Sequence, residues 1–280
     1  MASDGADETR SPPLLAPDSS SVSLARQGLA ASALERLATE LQASASLCSL
    51  NLLGNNIGAP GMRLLAPVLA SHTSLKTLDL GRNALGDEGV ACLAAALVPN
   101  SSLTTLYLGG NEVGAAGAAS LATALTKNAS LLTLELGSNA VGDKGAAALA
   151  SALTSNTTLV SLGLGFNTIG DIGAAALAKA LKANATLQTL NLQVGFKAGA
   201  AGNAALRAVE AKLRRNASSQ PFAANGGAGD DGSTTNLFAM AAAAVAPEQA
   251  EDEEEEDEEV EDNVRMEVQA LPRARVRRQW

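Results

Sequence analysis

The fold is decided by the stretch SLKTLDLGRNALGDEG, residues 74 to 89, and by the copies of it that recur every 28 residues. Five consecutive copies fill residues 46 to 185, and a sixth, degraded copy begins at Thr186. Self-similarity at a fixed period in this range is typical of a solenoid, in which each unit buries its apolar face only against its neighbours. The sequence therefore predicts an array with a long surface, which does not by itself supply an active site.

The leucine spacing within a unit predicts one strand and one helix. Leu78 and Leu80 alternate with polar residues, which is the period of a short strand with one buried face. Leu93 and Leu97 are four residues apart and share one face of a helix. Strand and helix leucines are therefore expected to point into one core.

One asparagine in each full unit follows the strand, where the chain must turn. A buried side chain at this place can bond to backbone groups that the turn leaves unpaired. We therefore predict a structural role, as a ladder, for Asn55, Asn83, Asn111, Asn139 and Asn167.

The pattern LxxLxLxxN, followed by an apolar residue and glycine, resembles the leucine-rich repeat over residues 46 to 185. The length of the unit is similar to the ribonuclease-inhibitor-like subtype, which occurs in ribonuclease inhibitors, NOD-like receptors and Ran GTPase-activating proteins. The resemblance implies a curved α/β solenoid with parallel strands on the concave face and helices on the convex face. It also implies that the concave face binds other molecules.

The ends of the array differ from its centre. Residues 24 to 43 have helical spacing and predict an N-terminal cap, after a disordered segment 1–23. At the other end, Gly195 replaces the ladder asparagine, and a charged helix over about 202–215 predicts a capping repeat that closes the solenoid at residue 216.

Residues 217 to 280 are predicted to be a disordered linker with two charged elements. The first is an acidic block, residues 248 to 262, with twelve acidic and no basic residues, and the second is the basic end LPRARVRRQW. Without the acidic block the chain would have a net charge of +3 instead of −9. The sequence leaves open whether these elements bind a partner or each other.

The composition also indicates the cellular environment of the protein and the kinds of partner that it could bind. No basic stripe runs along the repeats, which argues against nucleic acid as a partner. No apolar segment has the length of a membrane span, and no signal peptide is recognisable, so we expect a cytoplasmic or nuclear protein that does not contact membranes. We also expect a monomer.

Two further patterns recur with the repeat. Aspartates near the start of the helix, Asp87, Asp143 and Asp171, are predicted to cap free backbone N–H groups.

Asparagines at the end of the preceding helix form Asn-x-Ser/Thr sequences. We interpret these as helix ends in the left-handed conformation and not as glycosylation sites: Asn100, Asn128, Asn156 and Asn184.

Catalytic chemistry is poorly supported. The chain has one histidine and no Cys/His cluster with metal-ligand spacing. Asp79 and Glu135 lie two repeats apart, about 10 Å on a sheet, and a solenoid encloses no pocket between them. We therefore predict a protein that is not an enzyme, with no cofactor, no metal and no small-molecule substrate.

The concave face is the candidate binding surface. Its central row contains two acids that flank the only tyrosine of the chain, and Tyr and Arg are enriched at binding hot spots. The alternative is that these are ordinary solvent-facing strand residues. The candidate partner-binding residues are Asn51, Asp79, Arg82, Tyr107, Glu135, Phe166 and Asn191.

Three functional hypotheses follow. The first is a non-catalytic scaffold that binds another protein on the concave face. The second, suggested by the resemblance to Ran GTPase-activating proteins, is a GTPase-activating regulator of a small Ran-like GTPase, although this array has fewer and more uniform repeats. The third is a sensor module like that of NOD-like receptors, although no nucleotide-binding domain precedes the repeats in this sequence.

Overall fold

The computed structural model describes residues 13–15, 18–192 and 199–219. In these residues, strands of three residues alternate with α-helices along the chain. The elements are β1 Ser21–Ser23, α1 Ala31–Ala43, β2 Ser49–Asn51, α2 Gly58–Ser71, β3 Thr77–Asp79, α3 Gly86–Leu97, β4 Thr105–Tyr107, α4 Ala115–Leu125, β5 Thr133–Glu135, α5 Gly142–Leu153, β6 Ser161–Gly163, α6 Asp171–Ala183, β7 Thr189–Asn191 and α7 Ala200–Ser219.

The strands form one parallel sheet in chain order, β1 to β7. Each pairing joins residues 28 positions apart, so that Leu78 pairs with Leu106 and Asp79 with Tyr107. The register is therefore that of the sequence repeat, and equivalent side chains form rows across the sheet. This confirms the predicted α/β solenoid of parallel strands that alternate with helices.

The core lies between the sheet and the helices. Leu78 and Leu80 of the strand segment and Leu93 of the helix are all 0% exposed and belong to one apolar cluster. Burial of each such leucine contributes about 1.5–3 kcal/mol of transfer free energy. Because the helices occupy one side of the sheet, the other side carries the row that contains Asp79. We call that side the open sheet face.

The N-terminal boundary of the solenoid was predicted too late in the chain. Ser21–Ser23, assigned to the disordered segment 1–23, form β1 and pair with β2, with Val22 opposite Leu50. Leu15 is also buried, and its backbone N–H donates to Glu40 Oε2 at 2.7 Å. The first unit is thus a strand and a helix, and not a helix alone. A single apolar residue between serines gave no recognisable strand pattern.

The C-terminal unit, like the others, has a strand and a helix. β7 is present, and α7 extends over Ala200–Ser219, beyond the predicted 202–215. Val209 and Leu213 of α7 are buried against the core. The predicted replacement of the ladder asparagine by Gly195 lies outside the described residues, as do the acidic block 248–262 and the basic end.

The asparagines after the strands form a hydrogen-bonded ladder. Asn83 is 0% exposed, and its Oδ1 accepts the N–H of Asn55, in the preceding unit, at 2.8 Å. Its Nδ2 donates to the carbonyls of Leu52 and Leu80, both at 2.9 Å. Each asparagine thus joins two units through backbone groups that the turns expose. Asn55, Asn111, Asn139 and Asn167 make equivalent bonds.

The asparagines at the helix ends form a second ladder that the sequence analysis missed. Asn128 is 5% exposed; its Nδ2 donates to Leu97 O at 2.8 Å, and its Oδ1 accepts Leu131 N–H at 2.8 Å. The expected left-handed conformation was wrong: Asn184 has a φ of −72°. These asparagines are retained because their side chains bond to buried backbone, which also leaves Nδ2 inaccessible to glycosylation.

The helix-start aspartates cap the helix of the following unit. Asp143 Oδ1, at the start of α5, accepts the N–H groups of Gly170 and Gly173 at 2.7 and 2.9 Å. Asp87 and Asp171 act in the same way on α4 and α7. Each carboxylate satisfies donors that the first turn of a helix leaves free, and it meets the positive end of that helix.

We expect Asp143→Ala to lower the free energy of unfolding by about 0.5–2 kcal/mol, because two N–H groups of α6 lose their acceptor. Urea denaturation would measure the loss, and faster amide exchange at Gly173 than at Gly145 would place it in α6 rather than α5. Asp143→Asn keeps one acceptor oxygen and should lose less. Faster exchange confined to α5 would contradict a cap that acts between units.

Candidate functional site

The candidate residues form one row across the open sheet face. Asn51 pairs with Asp79, Asp79 with Tyr107, and Tyr107 with Glu135. Glu135 pairs with Gly163, which pairs with Asn191. Neighbouring parallel strands lie about 4.8 Å apart, so each acid is one strand step from the tyrosine. The structure therefore brings the predicted strand residues together as neighbours.

The short members of the row bond to their own backbone. Asp79 Oδ1 accepts Gly81 N–H at 2.8 Å, and Asn51 Oδ1 accepts Leu53 N–H at 2.9 Å. Burial raises the pKa of Asp79, and the bond from Gly81 partly offsets that rise. These side chains close the end of the strand, and the second oxygen of Asp79 forms no hydrogen bond with the described residues.

Glu135 occupies a niche that a glycine creates. A Cβ atom placed on Gly163 would overlap the Glu135 carboxyl group, so the carboxyl lies directly over the Gly163 backbone. This burial raises the pKa of Glu135 to about 7. Because desolvation disfavours the charged form, the ionised carboxylate destabilises the array near neutral pH.

Tyr107 lies between the two carboxylates and remains 40% exposed. Its pKa is raised by burial first, and then by the negative charges of Glu135 and Asp79. The phenol therefore stays neutral at physiological pH. Its exposed ring is available to a partner beside two acidic groups.

Arg82 and Phe166 occupy equivalent turns after β3 and β6, at the edge of the row. Their φ angles are 53° and 58°, in the left-handed region, where Gly54 and Gly110 stand in other units. A side chain in this conformation costs roughly 1 kcal/mol relative to glycine. Phe166 is nevertheless 56% exposed, so its ring gains little from burial in the fold.

A further member of this surface was missed. Arg26 follows β1 with a φ of 57°, and its stem lies against Gly54, as the stem of Arg82 lies against Gly110. The sequence contains a signal for this extra unit, because Leu24-x-x-Gln27 precedes Leu52-x-x-Asn55 by 28 residues, the length of one repeat. It was overlooked because glutamine stands in the ladder position.

The leucine-rich-repeat model matches the chain five times, over residues 43–66, 71–94, 100–122, 127–150 and 155–178. The matches follow the observed 28-residue units one by one. The five matched segments are leucine-rich repeats. The open sheet face is therefore the strand face of a leucine-rich-repeat array, and the row from Asn51 to Gly163 lies within the matched units.

Three solved structures resemble the repeat array. Leiomodin-1 actin-binding site 2 is 26% identical, with a TM-score of 0.42, and the match covers 48% of this chain and 75% of that one. The tropomodulin C-terminal domain of Caenorhabditis elegans is 16% identical, with a TM-score of 0.49 and coverage of 56% and 94%. LegL7 of Legionella pneumophila is 20% identical, with a TM-score of 0.32 and coverage of 69% and 82%. A comparison with curated proteins gave no match.

The repeat array shows no other grouping of chemical interest among the described residues. No helix there combines the length and apolarity that a membrane span needs, and no His, Cys, Asp and Glu side chains group closely enough to hold a metal ion. The ion pairs in this part of the chain, Arg36–Glu40 and Arg63–Glu88, lie off the row. The carboxylates of Asp79 and Glu135 therefore have no cationic partner among the described residues.

Proposed function

We propose that this leucine-rich-repeat array is a non-catalytic scaffold that binds a partner protein on its open sheet face. The observation that carries the proposal is the half-buried Glu135 carboxylate, which forms no ion pair with the described residues, in the same row as the exposed ring of Tyr107. Groups held in an unfavourable protonation state are concentrated at functional sites. A partner that neutralised Glu135 would recover the free energy that the isolated array loses.

The left-handed position of Phe166 supports the same surface. Glycine would adopt this backbone conformation with less strain, and the ring is mostly exposed, so contact with a partner explains a phenylalanine at this position better than stability does. Backbone outliers of this kind are typical of functional sites. Tyr107, Glu135 and Phe166 come from three successive units, so one partner can contact all three.

The geometry favours binding over catalysis. Asp79 and Glu135 are separated by two strand steps, about 10 Å, on an exposed sheet. Asp79 is committed to the turn through its bond to Gly81, and no described histidine lies in the row.

A strand and a full helix in each 28-residue unit also support assignment to the ribonuclease-inhibitor-like subtype. Binding of a small GTPase remains compatible with this surface as the second hypothesis.

We expect the double variant Tyr107→Asn, Phe166→Gly to lose partner capture while it keeps its fold. Both replacements occur naturally at equivalent positions: Asn51 and Asn191 in the row, Gly54 and Gly110 in the turn. Loss of two aromatic contacts should weaken binding at least about a hundredfold, since hot-spot side chains contribute 2 kcal/mol or more each. Affinity capture with the full-length chain, read by mass spectrometry, measures this effect.

The matched control is Ser138→Gly, Ile172→Ala. It makes one change at the same left-handed turn position and removes one exposed apolar side chain from α6. Circular dichroism checks the fold of both proteins. Equal capture by both double variants would overturn the proposal. A small GTPase that is captured and then hydrolyses GTP faster would favour the second hypothesis, and stoichiometric binding without turnover favours the scaffold.

A further inference from the structure

We propose that the partner presents an arginine side chain, whose guanidinium group lies on the Tyr107 ring within the negative field of Asp79 and Glu135. This inference rests on the proposed function, because it names the chemistry of the group that docks on the open sheet face. It is carried by three features of the row: two carboxylates without cations, an exposed aromatic ring between them, and the glycine niche that holds one carboxyl in place.

Neither acid of the row is neutralised by a cation among the described residues. Glu135 forms no hydrogen bond or ion pair with the described residues, and Asp79 uses one oxygen for Gly81 and leaves the other free. Arg82, the basic residue at the end of β3, forms an ion pair with neither acid and directs its stem over Gly110. An incoming cation would therefore meet two free acceptors.

The ring makes an aromatic contact available to the same cation. Tyr107 is 40% exposed and one strand step from each acid, and a cation over the face of a tyrosine is attracted by the ring electrons. After burial, the negative charges of Glu135 and Asp79 also raise the pKa of its phenol, as expected for acids on the two neighbouring strands.

Arginine fits this arrangement better than lysine. Asp79 and Glu135 are two strand steps apart, about 10 Å, and the Glu135 carboxyl lies over Gly163, so the cation is held by the ring and by the field of the acids rather than by a direct bond to each. A guanidinium group is planar, stacks on aromatic faces and directs five N–H donors to both of its edges. It is also less strongly hydrated than an ammonium ion, which lowers the cost of docking against the sheet.

The position of Tyr107 in the chain allows a direct test. It is the only tyrosine among 280 residues, so the full-length protein grown with ring-¹³C tyrosine gives one signal from the site. N-acetyl-arginine methylamide is titrated against it, with the neutral citrulline analogue and the lysine analogue as matched probes. We expect a saturable shift with the arginine probe in the millimolar range, at least about tenfold weaker binding of lysine and no saturation with citrulline.

Variants separate the inference from general charge effects. Glu135→Gln, which keeps the shape of the side chain, should weaken arginine binding at least about tenfold. Glu210→Gln makes the same charge change on the exposed surface of α7 and should leave binding unchanged. An unmoved tyrosine signal, an equal response to citrulline or lysine, or an unaltered affinity in Glu135→Gln would each overturn the inference.

The outcome is distinguishable from failure of the proposed function. Partner capture that depends on Tyr107 and Phe166, without any arginine response, would leave the scaffold proposal standing and overturn the arginine inference alone. Capture that is unaffected by loss of both aromatic residues would overturn the scaffold proposal, whatever the titration shows.

Discussion

Replacing Asn111 with alanine is expected to lower the free energy of unfolding by at least about 3 kcal/mol, because each buried group left without a partner costs about 1–3 kcal/mol. Asn111 is 0% exposed. Its Oδ1 accepts the N–H of Asn83 at 2.9 Å, and its Nδ2 donates to the carbonyls of Leu80 and Leu108 at 2.8 and 3.0 Å. Alanine removes these bonds and also the longer one that Asn111 Oδ1 accepts from Leu85 N–H at 3.4 Å.

Urea denaturation of the full-length chain measures this effect. Ser120→Ala is the matched control, since the Ser120 hydroxyl donates to the carbonyl of Ala116 in its own helix of the same unit, and its loss should change stability by less than about 0.5 kcal/mol. Solenoid units contact only their neighbours. Weakening the contact between two central units should therefore also broaden the unfolding transition or reduce its cooperativity. A variant as stable as the control would show that water replaces the ladder bonds without cost.

Glu135→Gln is expected to stabilise the protein by about 1–3 kcal/mol near pH 8 and to leave its stability almost unchanged near pH 4, after allowance for partial exposure of the group. In the folded chain the pKa of Glu135 is raised from 4.5 to about 7. The folded state therefore holds this proton more tightly than the unfolded state. The contribution is fully present below pH 4.5 and is lost as the pH rises through about 7.

Two other titratable groups with shifted pKa values also affect the pH profile of the whole protein. Asp79 also has a raised pKa and acts in the same direction, whereas burial lowers the pKa of His72, whose contribution is lost as the pH falls below 6.5. The difference between wild type and Glu135→Gln cancels both. Thermal denaturation from about pH 4 to pH 8 measures it, and a difference that does not depend on pH would refute the assigned pKa.

Gly163→Ala offers an independent test of the niche. The added methyl group would displace the Glu135 carboxyl towards solvent. Because the displaced group is the flexible end of a side chain, the cost in packing should be small. The pKa of Glu135 should fall towards its ordinary value, and the pH dependence of stability should decrease with it. An unchanged pH profile in this variant would show that Gly163 does not control the desolvation.

The sequence alone determined the alternation of strand and helix, the ladder asparagines and the row that contains Tyr107. A repeat of constant length makes this possible, because pairing residues 28 positions apart places equivalent side chains side by side. The predicted boundary of the disordered segment was wrong at β1. The first unit keeps the repeat spacing at Leu24 and Gln27, but it lacks the residue types that make the repeat pattern recognisable.

The tertiary structure decided every property that depends on contact between different units. It showed that Asp143 caps the following helix, that the helix-end asparagines are buried bonding groups, and that Glu135 lies over Gly163. A sequence shows the type of a residue but not its distance from residues in the next unit. Burial and the pKa of a carboxyl group depend on that distance, so the candidate row could be predicted from sequence, whereas the energetic state of Glu135 within it could not.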